Sequence, residues 1–425
     1  MTTPHEIICK YTIGDGDKIL IDTKLSKGVY LVDKVSGKRY LDCSSQYASM
    51  PLGWNNPHLK EMLNSDSQID ELDFCCLQKT ANCDFYTEIY ANFIEEFSTI
   101  SEDFKHLFFI EGGTLGVENA IKSAFDWKAK RLGLTNIVSN QIVNQMDIIH
   151  LKEAFHGRSG YCLSLTNTVL NKTSLFPKFN WTRIENPKIK FPMVESEVAL
   201  REEISLLQAE KALKSNLVAA IVLETIQGEG GDNHFRTEYF RALRKLADQN
   251  ECLLILDEVQ TGVCLTGKTW AYEHYGIVPD MISFGKKTQV CGFASTDRID
   301  CVDNNVFKES SRISSTWGGN IIDMLRFTSI SKIIKKLDLL KNSKIVGEYF
   351  LDKLHEISGI QNVRGKGLML AFDLENTERR DEAVRRMKDR MVILPCGKKS
   401  IRLRPHLIFS KENVDEAIEY IKAGI

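Results

Sequence analysis

Two stretches on either side of a helix constrain this chain more than anything else in it. Leu217 to Glu224 (LVAAIVLE) and Cys252 to Leu256 (CLLIL) are apolar almost throughout, and Thr237 to Gln249 between them repeats apolar residues at helical spacing. A strand with one face in water alternates, so an unbroken apolar run implies a strand covered on both faces. Two such strands joined through a helix form a βαβ unit of a parallel sheet. The fold class is therefore α/β, with a large, mostly parallel-sheet domain. With 425 residues the chain exceeds the usual single-domain size, which leaves room for a smaller α+β domain as well. Open parallel sheets collect their reactive groups beyond the C-terminal ends of the strands, and those ends direct the rest of the reading.

Five strand ends carry chemistry. His106 to Ile110 is an apolar strand followed by Gly112-Gly113-Thr114 and a helix over Val117 to Lys130. That order offers backbone N–H groups and a positive helix end to a phosphate, although Gly-Gly before a helix is commonly plain turn chemistry. Asp147 to Leu151 leads to Ala154-Phe155-His156-Gly157-Arg158, where Phe155 can stack on a flat ring and Arg158 can meet a carboxylate; a packed Phe and a solvated Arg are the plain alternatives. The 217–224 run ends in the loop TIQGEGG, Thr225 to Gly231. The 252–256 run ends in Asp257-Glu258-Val259-Gln260; Asp257 directly follows the apolar residues, so it should be buried and in need of a cationic partner. Met281 to Phe284 exits through Gly285 into Lys286 and Lys287. A desolvated lysine at such an exit has a lowered pKa and attacks carbonyls as the free amine. Adjacent lysines point to opposite sides, so one at most enters a site, and Lys286 is the expected one.

The remainder organises into three parts. Residues 1–65 form an N-terminal lobe with a hairpin (Gly28 to Asp33, Arg39 to Asp42) that packs with the small domain, 66–325 the large domain, and 326–425 the C-terminal small domain. A long helix is expected from Asn320 to about Leu340, and Asn167 to Pro192 reads as a surface excursion. The net charge of −2 points to neither nucleic acid nor an anionic membrane as a partner. No apolar run has transmembrane length, and the first thirty residues lack a signal-peptide core. Eleven scattered cysteines without C-x-x-C spacing indicate reduced thiols in a cytoplasm, with no metal site.

Brought together, the strand ends supply one amine nucleophile, one buried carboxylate, a flat apolar pair (Phe155, Val259), a phosphate-cradling turn and several arginines. That set fits pyridoxal 5'-phosphate. Lys286 would hold the aldehyde, Asp257 would keep the ring nitrogen protonated, Gln260 would bond the ring hydroxyl, and Gly113 with Thr114 would take the phosphate. Lys286, once released, is the natural proton carrier.

With those residues in view, DEVQTG and SFGKK resemble the class III, ω-amino-acid branch of the fold-type-I pyridoxal phosphate transaminases, over nearly the whole chain. The stretches FHGRSGY, TIQGEGGD, FGKKTQVCG and STWGGN are similar to the lysine-6-transaminating members. The resemblance implies transfer of the ε-amino group of L-lysine to 2-oxoglutarate, with 4-aminobutyrate or ornithine as the alternative donor and a non-catalytic descendant as the remaining reading. It implies a homodimer with shared active sites, in which Thr316 reaches the phosphate of the neighbouring subunit. By the same resemblance Arg404, in IRLRP, binds the 2-oxoglutarate carboxylate, Arg158 a second substrate carboxylate, and Glu229 pairs with the arginine while the amino donor is bound. Two positions depart from the family pattern. Thr114 stands where alanine or serine is common, and Cys264 replaces a glycine in GVCLTG, a strained choice if that loop needs φ > 0.

Overall fold

The computed structural model describes residues 3–14, 16–134 and 140–425. In chain order the strands are β1 (Tyr30–Val32), β2 (Arg39–Asp42), β3 (His106–Ile110), β4 (Asp147–Leu151), β5 (Arg183–Ile184), β6 (Val218–Glu224), β7 (Leu253–Asp257), β8 (Met281–Phe284), β9 (Cys291–Ser295), β10 (Gln361–Lys366), β11 (Met369–Asp373), β12 (Met391–Val392), β13 (Leu394–Cys396) and β14 (Ser400–Leu403). Seven of them make the central sheet in the order β3-β9-β8-β7-β6-β4-β5. The predicted βαβ unit is present: β6 and β7 pair in parallel, Ala220 opposite Leu253 through Glu224 opposite Asp257. Every residue of both strands is buried, as their apolar composition requires. The helix between them, Thr237–Gln249, buries Tyr239, Phe240, Leu243 and Ala247 along one face.

The central sheet is not wholly parallel. β9 runs antiparallel to both β3 and β8, and nothing in CGFAS announces a strand, since it lacks β-branched residues and contains glycine. Gly292 is required there, because a Cβ would stand 1.9 Å from the carbonyl oxygen of Phe108. The Gly113–Arg131 helix lies against β9 for a similar reason: a Cβ on Gly116 would meet the carbonyl of Gly292 at 2.5 Å. On the other face, Phe97 stacks near Phe284 (4.7 Å between centroids) and Phe93 near Phe109 (4.9 Å), joining the Glu88–Ser98 helix to the sheet.

The expected single helix to Leu340 is two helices, Ile321–Lys336 and Leu339–His355. Asp338, left-handed at φ 48°, separates them. Beyond it lies an antiparallel sheet of order β10-β11-β14-β13. The N-terminal hairpin β1–β2 is completed by β12, parallel to β2 with Met391 opposite Leu41, so both chain ends share one sheet. Ser45 to Ala48 form a left-handed turn of four non-glycine residues with φ between 41° and 67°. At about 1–2 kcal/mol per residue such a turn persists only if its surroundings hold it. Cys264 does adopt φ 64°, with Val263 at 55°, so the loop after the acid motif is left-handed and strained at both residues. No helix of the described residues is long and apolar enough to cross a membrane.

Candidate active site

Register alone aligns three side chains: Glu224, Asp257 and Ser283 sit opposite one another at the C-terminal ends of β6, β7 and β8. Three residues past Ser283, the chain turns through Lys286, whose own φ of 56° is unusual for a residue with a long side chain. Lys286 Nζ has no hydrogen-bond partner among the described residues. Burial, reinforced by the positive charge of Arg402, lowers it from 10.5 to about 8. Lys287 takes the opposite course. Its side chain is buried and its Nζ donates to the carbonyls of Gln260 (2.8 Å) and Ala48 (3.2 Å). The two neighbours are thus an unpaired amine and a structural clamp, the latter gripping the left-handed turn at Ala48.

Asp257 accepts from Val259 N at 3.0 Å through Oδ1, and its Oδ2 lies 2.8 Å from His156 Nδ1. His156 is the cationic partner that a buried carboxylate needs. The sequence reading passed it over, although it stands beside Phe155. Burial works against its charged form, yet the hydrogen bond and charge of Asp257 outweigh burial and raise His156 above its ordinary value. Glu224, also outside the predicted set, accepts from Phe155 N and Gly228 N, each at 2.9 Å, and ties the stacking residue to the Gly-rich loop. Burial raises it to about 7. Glu258 is structural: it accepts from Thr225, Thr261, Ala271 N and Tyr272 N. No group of three or more His, Cys, Asp or Glu able to hold a metal occurs among the described residues.

The Gly113–Arg131 helix begins after Gly112 (φ 102°) with no side chain capping its first turn, leaving its N–H groups open to an anion. Gly113 lies against Val259, 2.9 Å from where a Cβ would sit, so this approach needs glycine. Thr114 Oγ1 is 2.9 Å from Ser159 Oγ, which donates to Glu118 at 2.7 Å. An open helix end, a half-buried unpaired amine and a carboxylate locked by a histidine are three features that would hold the phosphate, aldehyde and ring nitrogen of pyridoxal phosphate. The residues present fit that group.

The arginines depart from expectation. Arg404 is 1% exposed and committed inside the protein. Its Nη2 pairs with Asp232, its Nε and Nη2 donate to Gln260 Oε1 at 3.1 and 3.0 Å, and its Nη1 donates to the carbonyls of Leu370 and Leu403. It does not pair with Glu229, which binds Thr168 and Lys172 instead. The physical reason is that a buried guanidinium must be paired within the fold, and the turn at Gly231 (φ 128°) brings Asp232 inward to do it. Arg402, two residues earlier and inside β14, keeps a buried Nε without an acceptor, whereas Arg404 lies just past the strand. Arg402 therefore has the unfilled valence of a carboxylate receptor, and Arg404 does not. The Arg404 contacts also orient Gln260, whose oxygen is occupied and whose NH₂ remains to donate. Phe155 is half-buried, while Arg158 and Thr316 are exposed and make no hydrogen bond or ion pair among the described residues. A cavity of about 1340 Å³ between the Lys188–Pro192 segment and β10–β14 shares Thr168 and Glu229 with this site, but neither Lys286 nor Asp257 lines it.

Comparison with known proteins agrees with this geometry. The pattern of the family described as Aminotransferase class-III matches residues 12–425. The L-lysine-epsilon aminotransferase of Amycolatopsis lactamdurans is 42% identical, over 99% of this chain and 95% of its own. The mitochondrial 4-aminobutyrate aminotransferase of Mus musculus is 32% identical over 90% of this chain and 80% of its own. Among solved structures, lysine aminotransferase from M. tuberculosis superposes with a TM-score of 0.93 at 41% identity, covering 100% of this chain and 99% of that one. The match along nearly its full length, together with the amine, carboxylate and phosphate cradle at one sheet edge, makes this chain a member of the class-III aminotransferase family.

Proposed function

We propose that the protein is a pyridoxal-phosphate-dependent transaminase that moves the ε-amino group of L-lysine to 2-oxoglutarate, giving 2-aminoadipate 6-semialdehyde and L-glutamate. The observation that carries it is the presence at one sheet edge of an unpartnered, half-buried Lys286 amine and an Asp257 carboxylate held by His156. The 41–42% identity to lysine-ε-aminotransferases supports lysine as the donor over 4-aminobutyrate.

When bound, the cofactor supplies an electron sink for the pair left behind as the donor carbon loses a proton. The chain does the rest. Lys286 Nζ, lowered to about 8, is free amine in a minor fraction at neutral pH and in most molecules above about pH 8, so it serves both as attachment point and as carrier of the proton to and from the ε-carbon. Asp257 would keep the ring nitrogen protonated, with His156 aiming its carboxylate. Gln260 would donate its NH₂ to the ring hydroxyl, Phe155 and Val259 would flank the ring, and Gly113 with Thr114 would hold the phosphate. Arg402, in place of Arg404, takes a carboxylate of 2-oxoglutarate, and Arg158 serves the other substrate carboxylate. The semialdehyde cyclises on release, because its α-amine is within intramolecular reach.

A homodimer with shared sites belongs to this reading. Thr316 is exposed beside Trp317, and the turn that packs on Trp317 carries exposed Leu77, Phe85 and Tyr86, an apolar patch of the kind that a second subunit covers. A three-part organisation at 1–65, 66–325 and 326–425 is supported by the shared β1-β2-β12 sheet. A cytoplasmic setting is supported by free thiols at all eleven cysteines.

The test is the visible spectrum of the holoenzyme with L-lysine alone and then with 2-oxoglutarate. The cofactor band is expected to bleach with lysine, return with the dicarboxylate, and leave a cyclic product detectable by mass. A response to 4-aminobutyrate or ornithine but not to lysine would move the donor. A protein with no band after addition of pyridoxal phosphate would sink the enzymatic reading.

A further inference from the structure

The segment after β4 wraps one face of the Gly113–Arg131 helix, whose first turn is the phosphate cradle. Thr114 and Glu118 stand one turn apart on that helix, and two glycines lie against them. A Cβ on Gly157 would meet Thr114 Oγ1 at 2.1 Å, and one on Gly160 would meet Glu118 Oε1 at 2.6 Å. Ser159, between the glycines, joins the two side chains: its Oγ donates to Glu118 Oε2 at 2.7 Å and lies 2.9 Å from Thr114 Oγ1. Cys162 Sγ fastens the same face again by donating to Thr114 O at 3.2 Å.

The protons in this chain can be counted. A carboxylate brings none, and each hydroxyl brings one. Ser159 spends its proton on Glu118, so the contact between the two hydroxyls is a hydrogen bond only if Thr114 donates. The order is therefore Thr114 to Ser159 to Glu118. A Thr114 oxygen that has given its proton away can only accept, and a phosphate oxygen has nothing to give it. What the helix still offers an anion is the N–H groups of its first turn, which no side chain caps.

Resting on the cofactor reading above, we propose that Glu118 is a positioning residue for the cofactor phosphate: acting through Ser159, it commits the Thr114 hydroxyl proton to the loop, so that this helix holds the phosphate through backbone N–H groups and not through that hydroxyl. Threonine can then stand where alanine is common, because its side chain serves the segment that carries Phe155 and Arg158 and adds no donor to the cradle.

The experiment measures the dissociation constant of pyridoxamine 5'-phosphate, which has no aldehyde and so reads the phosphate hold without the bond to Lys286, by equilibrium dialysis against the full-length protein. Thr114→Val keeps the shape and removes the hydroxyl; it is expected to change the constant by less than about twofold, whereas a hydroxyl bonded to the phosphate itself would cost roughly tenfold or more. Glu118→Gln supplies an N–H to Ser159, which lets the chain run backwards, from Ser159 to Thr114 and from Thr114 to the phosphate. Binding should then tighten roughly fivefold, and most of that gain should vanish in the Thr114→Val background. Ser159→Ala frees the Thr114 proton by a second route and should tighten binding as well. A purely structural role for Glu118 predicts weaker binding, so the sign of the change separates the two. A tenfold loss with Thr114→Val, a loss or no change with Glu118→Gln, or a gain that survives Thr114→Val in full, as plain removal of a charge would give, would each overturn the proposal. A wild-type protein that binds no pyridoxamine 5'-phosphate would bring down the cofactor reading, and the chain with it.

Discussion

Replacing Lys286 with methionine should make the cofactor-free protein more stable, and the gain should depend on pH. The amine titrates at 10.5 when exposed and at about 8 in the fold, chiefly because burial disfavours its charge. Between those two values the unfolded chain binds the proton and the folded chain does not, so stability rises with pH across that window. Below about 8 both states are charged, and the folded protein carries the whole penalty. At about 1.4 kcal/mol per tenfold change in proton affinity, that penalty is about 3 kcal/mol. Methionine fills similar space without a charge, so Lys286→Met should recover most of it at pH 7 and almost none at pH 10.5. For a chain of this length the gain corresponds to a rise of about 3 °C in Tm. Calorimetry of both proteins stripped of cofactor, at several pH values, gives the answer. A variant no more stable than wild type at pH 7, or a gain that stays flat as the pH rises, would show that the amine is not desolvated, and the account of its reactivity would go with it. The same trade of stability for function runs through many catalytic sites.

Three other substitutions probe the neighbouring groups. Lys287→Ala should keep the absorption of bound cofactor but lower Tm, since two buried carbonyls lose their donor at about 1–3 kcal/mol each, whereas Lys286→Ala should lose the covalent cofactor band; the reverse pattern would exchange the roles of the two lysines. Arg402→Met should raise the KM for 2-oxoglutarate about 100-fold with little change in Tm, while Arg404→Met should chiefly lower stability, by about 3–5 kcal/mol, because it leaves Asp232 buried and unpaired; steady-state kinetics and thermal melts on the pair decide between them. Glu224, raised from 4.5 to about 7 by burial, holds its proton in the fold over that range, so its contribution to stability is lost as pH rises from 4.5 through 7. Glu224→Gln should therefore match wild type near pH 4.5 and exceed it increasingly towards pH 8, and a difference in Tm that does not grow with pH would contradict the assignment.

Much of this architecture could be read before any coordinates. The strands His106–Ile110, Asp147–Leu151 and Met281–Phe284 fall on the expected residues, and β6 and β7 each start one residue late, because full burial of a strand is a property its own composition declares. Gly113, Asp257 and Lys286 could be picked out for the same reason: each stands within three residues of the end of such a run, and the strand ends converge in an open sheet. Whether the loop at Cys264 needs φ > 0 stood as a condition raised by its departure from the family pattern, and the structure meets that condition at φ 64°.

Partner choice was not legible. β9 carries no strand pattern of its own and exists because β3 and β8 flank it. His156 reaches Asp257 across 101 residues, Arg404 reaches Asp232 across 172, and Lys172 reaches Glu229 across 57. An apolar run is buried wherever the chain folds, so burial can be inferred locally. A charge is satisfied only by whichever opposite charge the finished fold brings within about 3 Å. Arg402 and Arg404 are the same residue type two positions apart, one inside β14 and one just past its end, and the inward turn at Asp232 is what commits Arg404 to the fold while the Nε of Arg402 stays without an acceptor.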